Sequence, residues 1–490
     1  MLELQYQDGT LIISLKKQNE KQHENQPENQ PENQPENQPE NQNAIQQSFE
    51  MIQQRLVEHF GNQLRFDERV QTWRAEGYIY PQLIYFAIEN KIPYIDAKSW
   101  EKENNITHRS IRSPRDYQQD AVDAWWKNRG RGIVVLPTGS GKTFVAELCM
   151  AKIARPTLVV APTLDLVGQW YDLLKVAFQE EIGIVGGGHH DVRRITVTTY
   201  DSAHIHLPHY GDRFAFLIFD EVHHLPAPAY LQASRCALAP FRLGLTATLD
   251  REDGREALLA QSIGPVVYRR KITDLSGHYL SDYEVVRILV ELNDKEKEAY
   301  HKAREEYLKF LSEKKINLGY QGWETFIKHA ARSKEGRSAF LAYRRAKEIS
   351  HGSQSKMVLL EDILRKERGK RILIFSNDNQ TAYHVSRQYL VPCITHQTSV
   401  KERRQLIGAF ANGSLPILAT SRVLNEGVDI PAAEVAIVLS GTGTVREHVQ
   451  RLGRILRPSE GKHAILYELV SDATAEKYTS ERRRRHDAYR

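Results

Sequence analysis

The fold is decided by the stretch Ile133-Val-Val-Leu-Pro-Thr-Gly-Ser-Gly-Lys-Thr143, in which an apolar run ends in a glycine-rich turn. Consecutive branched apolar residues are typical of a strand buried in a parallel sheet. Gly139 and Gly141 allow the backbone to curl so that successive N–H groups point at one anion. The apolar residues that follow have helical spacing, so the turn is predicted to open a helix whose positive N-terminal end faces a phosphate.

This turn is therefore predicted to bind the phosphates of a nucleotide. Lys142 would reach the β- and γ-phosphates, and the Thr143 hydroxyl would ligate Mg²⁺. The residues of the turn that would surround the phosphates are Pro137, Thr138, Gly139, Ser140 and Gly141. The first position of the Gly-x-x-x-x-Gly-Lys-Ser/Thr pattern holds Leu136, so a turn without a ligand is the alternative. The motifs further along the chain disfavour that alternative.

The composition describes a globular protein with space for about three domains in its 490 residues. No apolar run approaches the roughly 18 residues that cross a bilayer, and the N-terminus lacks a basic-then-apolar signal, so we expect a cytoplasmic protein without membrane attachment. The three cysteines form no Cys-x-x-Cys pair, which argues against a zinc ribbon, an iron–sulfur cluster and a disulfide scaffold. The net charge of +5 permits a nucleic-acid partner without requiring one.

The N-terminal residues are predicted to begin with a hairpin that turns at Asp8-Gly9. From Glu24 the tetrapeptide Glu-Asn-Gln-Pro occurs four times in succession. Residues of about 20–43 are predicted to be disordered, because nothing there offsets the entropy of ordering them, and a tethered binding motif is the alternative. Helical spacing then returns with Ile52, Leu56 and Phe60.

Aromatic and basic side chains mix between Phe66 and Arg74, as they would on a nucleic-acid surface. An ordinary core with its polar rim is the favoured interpretation of that mixture. The polar stretch 96–114 is expected to be a linker.

Two more groups of residues complete the predicted nucleotide site. Gln118, with Arg115 just before it, would select adenine, because a glutamine amide can pair with the N6 and N7 edge of that base. A fully apolar strand places Asp220 and Glu221 at its C-terminal end, where open α/β sheets bind ligands. Asp220 would hold Mg²⁺, and Glu221 would orient or deprotonate the attacking water. A structural acidic turn is the alternative.

Several polar residues close to these strand ends invite other interpretations. His223 and His224 have no third and fourth metal ligand at a suitable spacing, so we interpret them as polar relays between the two halves of a motor. Thr246 and Thr248 place two small hydroxyls at another strand end on the ATP face.

A second α/β set begins with an apolar strand near Ile374 and contains no phosphate loop. In one predicted helix of this set, Arg454 and Arg457 are three residues apart and therefore share one face. This half is predicted to supply positive charge to an ATP held by the first half, as arginine fingers do.

With these motifs the sequence resembles the superfamily 2 helicases and, within them, the XPB family of DNA repair and transcription helicases. The resemblance covers nearly everything from Arg115 to the end, and helicases of this superfamily also lack the glycine that Leu136 replaces. Arg251-Glu252-Asp253 matches the unwinding element of the family, and a basic helical insert of about 294–350 sits where the family has its thumb. The motifs that carry the resemblance are Arg115-Asp-Tyr-Gln118, Leu136 to Thr143, Ala161-Pro-Thr163, Thr199-Tyr-Asp-Ser-Ala203, Asp220-Glu-Val-His-His224, Leu245-Thr-Ala-Thr248, Ile374-Phe-Ser376, Asn425-Glu-Gly427-Val-Asp429 and Gln450 to Arg457.

The resemblance implies an α/β fold with two RecA-like domains whose parallel sheets form an ATP cleft, a small N-terminal α+β domain and a helical thumb-like insert. The implied domains are 1–105, which looks like a DNA-damage-recognition domain, 106–270, 271–350 with the thumb, and 351–490. It also adds roles at single positions. Nucleotide contacts would come from Gly427 and Asp429, catalytic contacts from Gln450, Arg454 and Arg457, and DNA contacts from Thr163, Thr199, Tyr200 and Thr420.

The implied function is an ATP- and Mg²⁺-dependent DNA helicase or translocase of nucleotide excision repair. It would run 3′ to 5′ from a junction of single-stranded and duplex DNA, in some members with a nuclease partner. An RNA helicase fits the same ATPase core. A DNA-stimulated ATPase clamp that recruits a nuclease without processive unwinding is a third interpretation.

Overall fold

The computed structural model describes residues 1–16, 39–96, 106–249, 254–255, 257–279, 281–318, 320–421, 433–441 and 463–483. The chain divides into two compact units, the first formed by 1–135 with 143–269 and the second by 136–142 with 270–490. Among the described residues, no helix combines the length and the apolar character that a membrane crossing requires.

The first unit begins with a five-stranded sheet and two helices. Its elements are β1 (Leu2–Gln7), β2 (Thr10–Leu15), α1 (Pro39–Phe60), β3 (Leu64–Asp67), β4 (Thr72–Glu76), α2 (Tyr80–Glu89) and β5 (Tyr94–Ile95), with the strands in the order β3-β4-β2-β1-β5. The predicted hairpin is confirmed, because β1 and β2 pair antiparallel across a two-residue turn. Asp8 and Gly9 have φ angles of 45° and 83°, as a type I′ turn requires.

Helix α1 begins inside the stretch that the sequence predicted to be disordered. It starts at Pro39, so the expectation of disorder is wrong for residues 39–43. Proline is favoured in the first helical turn, because its missing N–H would have no partner there and its fixed φ suits a helix. Leu56 and Phe60 anchor the helix in the core of the N-terminal domain. Residues 17–38 of the repeat region lie outside the described residues.

The N-terminal domain shares its core with the domain that follows it in the first unit. Ala215 and Leu238 of the following domain are buried in the same apolar cluster as the N-terminal strands. The Tyr6 hydroxyl donates a hydrogen bond to the Pro208 carbonyl at 2.9 Å. A side chain at Gly77 would collide with the Cys236 carbonyl, so glycine is required where the two backbones approach. The two domains are therefore packed together as one body.

An eight-stranded sheet forms the centre of the following domain. Its strands are β6 (Arg131–Val135), β7 (Thr157–Ala161), β8 (Ile182–Gly186), β9 (His189–His190), β10 (Ile195–Thr199), β11 (Phe216–Phe219), β12 (Phe241–Thr246) and β13 (Val266–Arg269). The order is β13-β6-β12-β11-β7-β10-β8-β9, and every pairing except β8 with β9 is parallel. The helices around it are α3 (Asp116–Lys127), α4 (Lys142–Ile153), α5 (Leu164–Phe178), α6 (Tyr200–Tyr210), α7 (Pro228–Cys236) and α8 (Ala257–Ser262). A parallel sheet whose two faces are covered by helices requires largely apolar strands.

Arg242, on β12, is a fully buried cation that holds the amino edge of this sheet together. Its guanidinium donates to four main-chain carbonyls, those of Ser234, Ala237, Ala239 and Ser262, at 2.6 to 3.1 Å. Burial lowers the pKa of Arg242 well below its usual range, and nearby Arg131 lowers it further. The carbonyls belong to the ends of α7 and α8 and the turn between α7 and β12, where helices leave acceptors without intrahelical partners.

The second unit contains a six-stranded parallel sheet. Its strands are β14 (Asp282–Val290), β15 (Ile372–Phe375), β16 (Cys393–Ile394), β17 (Ile417–Thr420), β18 (Val435–Val438) and β19 (His463–Ser471), in the order β14-β19-β18-β15-β17-β16. The helices α9 (Ile272–Leu275), α13 (Gln354–Lys366), α14 (Asn379–Tyr389), α15 (Val400–Ala411) and α16 (Ala475–Arg483) belong to the same unit. Strand β14 was not predicted as part of this sheet. It precedes the helical insert in the chain and pairs in full register with β19.

The predicted helical insert is a bundle of three helices, α10 (Asp294–Glu313), α11 (Tyr320–Arg332) and α12 (Lys334–His351). Aromatic residues from α10 and α11, including Tyr307, Phe310 and Phe326, pack against small residues of α12. The charged residues therefore form the outer faces of helices that have an apolar core of their own.

Candidate functional site

The predicted phosphate loop runs from Leu136 to Lys142, between β6 and α4. Gly139 and Gly141 have φ angles of 84° and 85°, a left-handed conformation that side chains with a Cβ rarely adopt. The Ser140 hydroxyl donates to the Pro137 carbonyl at 2.7 Å, which holds the turn closed on itself. Lys142 is buried, and its Nζ donates to the Leu136 carbonyl at 3.4 Å. These internal contacts hold the loop in its curled shape.

One side-chain atom in this loop lacks a partner. The Thr138 hydroxyl is buried and makes no hydrogen bond. A buried hydroxyl without a partner is costly, and a phosphate oxygen at the mouth of the loop would satisfy it. Since α4 begins at Lys142, its first N–H groups and its dipole also favour an anion. The loop therefore fits a nucleotide phosphate.

In the first unit the strand register brings several predicted site residues to one edge of the sheet. Val135 at the end of β6 is level with Thr246 at the end of β12, and β11 ends beside them at Phe219. Thr199 is the last residue of β10, level with Ala161 at the end of β7, and Thr163 follows two residues later at the same edge. The carboxyl edge of a parallel sheet is where open α/β folds bind ligands.

Asp220 is held in a fixed orientation at this edge. Its Oδ2 accepts a hydrogen bond from the Trp170 indole N–H at 2.9 Å, and its Oδ1 accepts one from the Glu221 main-chain N–H at 3.0 Å. The Tyr200 hydroxyl donates to the Asp220 carbonyl at 2.9 Å. Among the described residues, no group of three or more His, Cys, Asp or Glu is arranged to hold a metal. A Mg²⁺ at Asp220 would therefore take most of its ligands from phosphate oxygens, a hydroxyl and water, as this ion commonly does.

Glu221 has a strained backbone, with φ 47° and ψ 53°. Non-glycine residues in this region are uncommon, and they cluster at functional sites. The Glu221 Oε2 lies 3.4 Å from Nδ1 of His223.

A hydrogen-bonded chain runs from His223, two residues after Glu221, to the end of β12. Nδ1 of the buried His223 lies 3.0 Å from Oγ1 of Thr246, and the Thr246 hydroxyl donates to the Thr248 carbonyl at 2.7 Å. Because a hydroxyl has only one hydrogen to donate, His223 must be the donor to Thr246 through Nδ1–H. His224 is less buried, and its ring lies 4.4 Å from that of His223. The relay role stays a prediction.

The predicted adenine contacts include a residue that also caps a helix. Gln118 is buried, and its side-chain oxygen already accepts a hydrogen bond from the Arg115 main-chain N–H at 3.0 Å. This bond closes the first turn of α3 and leaves the oxygen a second lone pair for the adenine amino group, so the pairing of both amide atoms with adenine stays a prediction. The amide nitrogen is the atom that could donate to adenine N7.

The four predicted DNA contacts divide into two pairs. Thr163 and Thr199 are the N-caps of α5 and α6, and their hydroxyls accept main-chain N–H groups of Leu166 and Ser202 at 3.3 and 3.1 Å. Both therefore stand at helix N-termini, which suit a DNA phosphate. Tyr200 and Thr420 have buried side chains, and their contact with DNA stays a prediction. Their hydroxyls donate to the carbonyls of Asp220 and Ser421.

Several predicted residues fall outside the described residues and stay predictions. They are Arg251, Glu252, Asp253, Gly427, Asp429, Gln450, Arg454 and Arg457. The sequence also gave no role to Trp170 beyond its place on a helix, although its indole holds Asp220. A buried tryptophan needs a partner for its N–H, but only the fold identifies that partner.

Comparison with known proteins agrees with this arrangement. Two family models match, one described as the res subunit of type III restriction enzymes over residues 111–251 and one as the helicase conserved C-terminal domain over 355–459. The crystal structure of the Pyrococcus furiosus Hef helicase domain is similar over 75% of this chain and 97% of its own, with a TM-score of 0.50 and 18% identity, which shows the fold alone. The fold and the motifs define a superfamily 2 helicase core with two RecA-like domains.

Curated relatives narrow the class. DNA 3′-5′ translocase XPB2 of Sulfurisphaera tokodaii is 38% identical over 88% of this chain and 97% of its own length. Proteins named DNA 3′-5′ helicase XPB from Kineococcus radiotolerans and Mycobacterium tuberculosis are 34% and 32% identical over 76% of this chain, which spans 62% and 63% of their lengths. The chain belongs to the XPB family.

Proposed function

We propose that this chain is an ATP-dependent DNA translocase and helicase that moves 3′ to 5′ and acts in DNA repair. The proposal rests on the pair Asp220-Glu221, which follows β11 at the carboxyl edge of a parallel sheet. Strand β6 of the same sheet leads into the phosphate loop. The relatives' names, DNA 3′-5′ translocase and helicase, support the substrate and the direction.

In the proposed mechanism each residue of the first half has one task. Lys142 and the loop N–H groups neutralise and orient the phosphates, and Thr138 donates its unused hydroxyl to one of them. Thr143 and Asp220 would hold Mg²⁺, which when bound offsets charge on the β- and γ-phosphates. Glu221 orients the attacking water and accepts its proton. Arg115 and Gln118 would contact adenine, with the Gln118 amide on the N6 and N7 edge of the base.

The remaining parts of the proposal concern movement and partners. His223, Thr246 and Thr248 would transmit the state of the nucleotide, and the N-termini of α5 and α6 would hold DNA phosphates. Gln450, Arg454 and Arg457, with Gly427 and Asp429, would complete the ATP site, and Arg251-Glu252-Asp253 would separate the strands. The domain boundaries 1–105, 106–270, 271–350 and 351–490, a nuclease partner and a cytoplasmic location are parts of the same proposal.

ATPase stimulation tests the proposal most directly. The rate of ATP hydrolysis is measured with single-stranded DNA, forked duplex, blunt duplex and RNA, using the full chain with Mg²⁺. We expect the largest stimulation by DNA that contains a single strand, and no stimulated turnover in a Lys142→Ala variant. Stimulation by RNA alone would replace the DNA assignment by an RNA helicase. DNA stimulation without strand displacement would favour the clamp interpretation.

A further inference from the structure

The segment 106–112, expected to be only a linker, is fastened to the first RecA-like domain along its length. Ile106 is buried, and the Arg109 main-chain N–H donates to the Ala177 carbonyl at 2.8 Å. The His108 ring packs against that of Phe178, with 5.2 Å between centroids. The segment has no helix or strand of its own, so side-chain and main-chain contacts of this kind hold it in place.

Two of its side chains are held by one carboxylate. Glu147, on the phosphate-loop helix α4, is fully buried, and its Oε1 lies 2.9 Å from Nε2 of His108. Its Oε2 accepts a hydrogen bond from the Arg112 guanidinium. The same guanidinium lies over the Phe144 ring, 4.4 Å from its centroid. A buried carboxylate is stable only with such partners, and the cation adds an attraction to the aromatic face.

This contact joins the two parts of the nucleotide site in the first unit. Phe144 directly follows Thr143 at the start of α4. Arg112 is three residues before Arg115, whose main-chain N–H is bonded to the Gln118 side chain. Three residues of chain span at most about 11 Å, so a fixed Arg112 restricts where the adenine-contacting turn can lie. The Arg112 side chain is 52% exposed, so apolar burial contributes little to its position. Its contacts with Glu147 and Phe144 are what hold it.

We propose that Arg112 is a positioning residue that, through Glu147 and Phe144, sets the adenine-contacting turn against the phosphate-loop helix and thereby maintains the preference for ATP over GTP. The proposal rests on the proposed function, because it takes Arg115 and Gln118 as the contacts of the base. Arg112 itself need not touch the nucleotide.

The effect is expected in base selection rather than in chemistry. Without the Arg112 contact the turn shifts and the base loses about one hydrogen-bonded contact, which corresponds to an increase of roughly tenfold in KM for ATP. The phosphates and the water are held elsewhere, so kcat at saturating ATP changes less than about twofold, and KM for GTP stays constant. The preference for ATP therefore falls about tenfold.

The test compares steady-state ATPase and GTPase of the full chain with forked DNA. The main variant is Arg112→Ala with Glu147→Gln, since Arg112→Ala alone would leave the buried carboxylate with only His108. Arg112→Lys, which keeps the charge, is expected to restore part of the preference for ATP. Lys152→Ala removes an exposed cation from the same helix and is the matched control, with no change in either KM. Thermal unfolding of each variant checks that it is folded.

An unchanged ratio of the KM for ATP to the KM for GTP in the folded double variant would overturn the proposal. This holds whether neither value changes or both rise by the same factor. If the double variant does not fold, Arg112→Ala alone decides the question, because an unaltered ATP preference in that folded variant also contradicts the positioning role. Failure of the proposed function has another signature, namely Lys142→Ala retaining DNA-stimulated turnover.

Discussion

Trp170 offers a sharp test of the magnesium site. Its indole N–H donates to Oδ2 of Asp220 at 2.9 Å, and both residues are buried. Trp170→Phe keeps an aromatic ring in the same space but removes the donor. The carboxylate then gains negative charge density, which favours Mg²⁺, but it loses the bond that fixes its orientation, which disfavours Mg²⁺.

The expected magnitude decides between these two effects. A hydrogen bond to a charged group contributes about 1.5–3 kcal/mol, and loss of a group that orients a metal ligand reduces metal affinity about 10- to 100-fold. Tenfold equals about 1.4 kcal/mol, so the two figures agree. Since the Glu221 N–H still holds the Asp220 Oδ1, we expect the lower end, a tenfold higher Mg²⁺ concentration for half-maximal ATPase activity.

The assay is DNA-stimulated ATPase activity titrated with Mg²⁺, together with the thermal unfolding midpoint. Trp125→Phe is the matched control, because Trp125 is also fully buried and its indole donates to a carbonyl, that of Arg242 at 3.0 Å. That control should lower the unfolding midpoint and leave the Mg²⁺ requirement unchanged. Equal Mg²⁺ requirements in wild type and both variants would mean that Trp170 stabilises the fold without orienting a metal ligand.

The other predictions concern catalysis, stability, pH and the repeat. Glu221→Gln should keep nucleotide affinity and lower turnover by about 10² to 10⁴, and near-normal turnover would remove Glu221 from its role. Arg242→Met leaves four buried carbonyls without their donor and should cost on the order of 3 kcal/mol, seen as a lower unfolding midpoint than in wild type or in Arg235→Met. Burial opposes ionisation of Asp378, but hydrogen bonds from His351 and Thr381 outweigh it and lower its pKa. The stability from Asp378 should thus be complete above its unfolded pKa of about 4 and disappear as pH falls through the lower folded value, so wild type and Asp378→Asn should converge in acid; a constant difference would contradict this. Deleting Glu24–Pro35 should leave unfolding and DNA-stimulated ATPase nearly unchanged, whereas a large loss of DNA affinity would support a tethered binding motif.

The correct sequence predictions share a local cause. The hairpin at Asp8-Gly9, the apolar strand ending before Asp220 and the glycine turn before Lys142 are each encoded within about ten consecutive residues. Backbone preferences and the alternation of apolar residues act over that range, so they can be inferred without the fold. Parallel strands end at a shared edge of the sheet. The strand ends in the sequence therefore also predicted which residues would lie close together at that edge.

The errors arise where distant segments meet. Strand β14 joins the second sheet by pairing with β19, about 180 residues further along the chain, and its local pattern contains nothing about that partner. Tyr200 follows a strand end, and nothing in its local sequence indicates that its hydroxyl donates to the Asp220 carbonyl. Nor does the local sequence indicate that Trp170 donates to the Asp220 carboxylate.

The sequence by itself determined the phosphate loop, the acidic pair, the two α/β sets and, with its motifs, the XPB family. Only the tertiary structure decided what holds those residues in place: the indole of Trp170 on Asp220, the four carbonyls around Arg242, and Glu147 between His108 and Arg112. The physical reason is that a buried polar group must find its partner in whichever segment packs against it. That partner is a property of the packing and not of neighbouring positions in the chain.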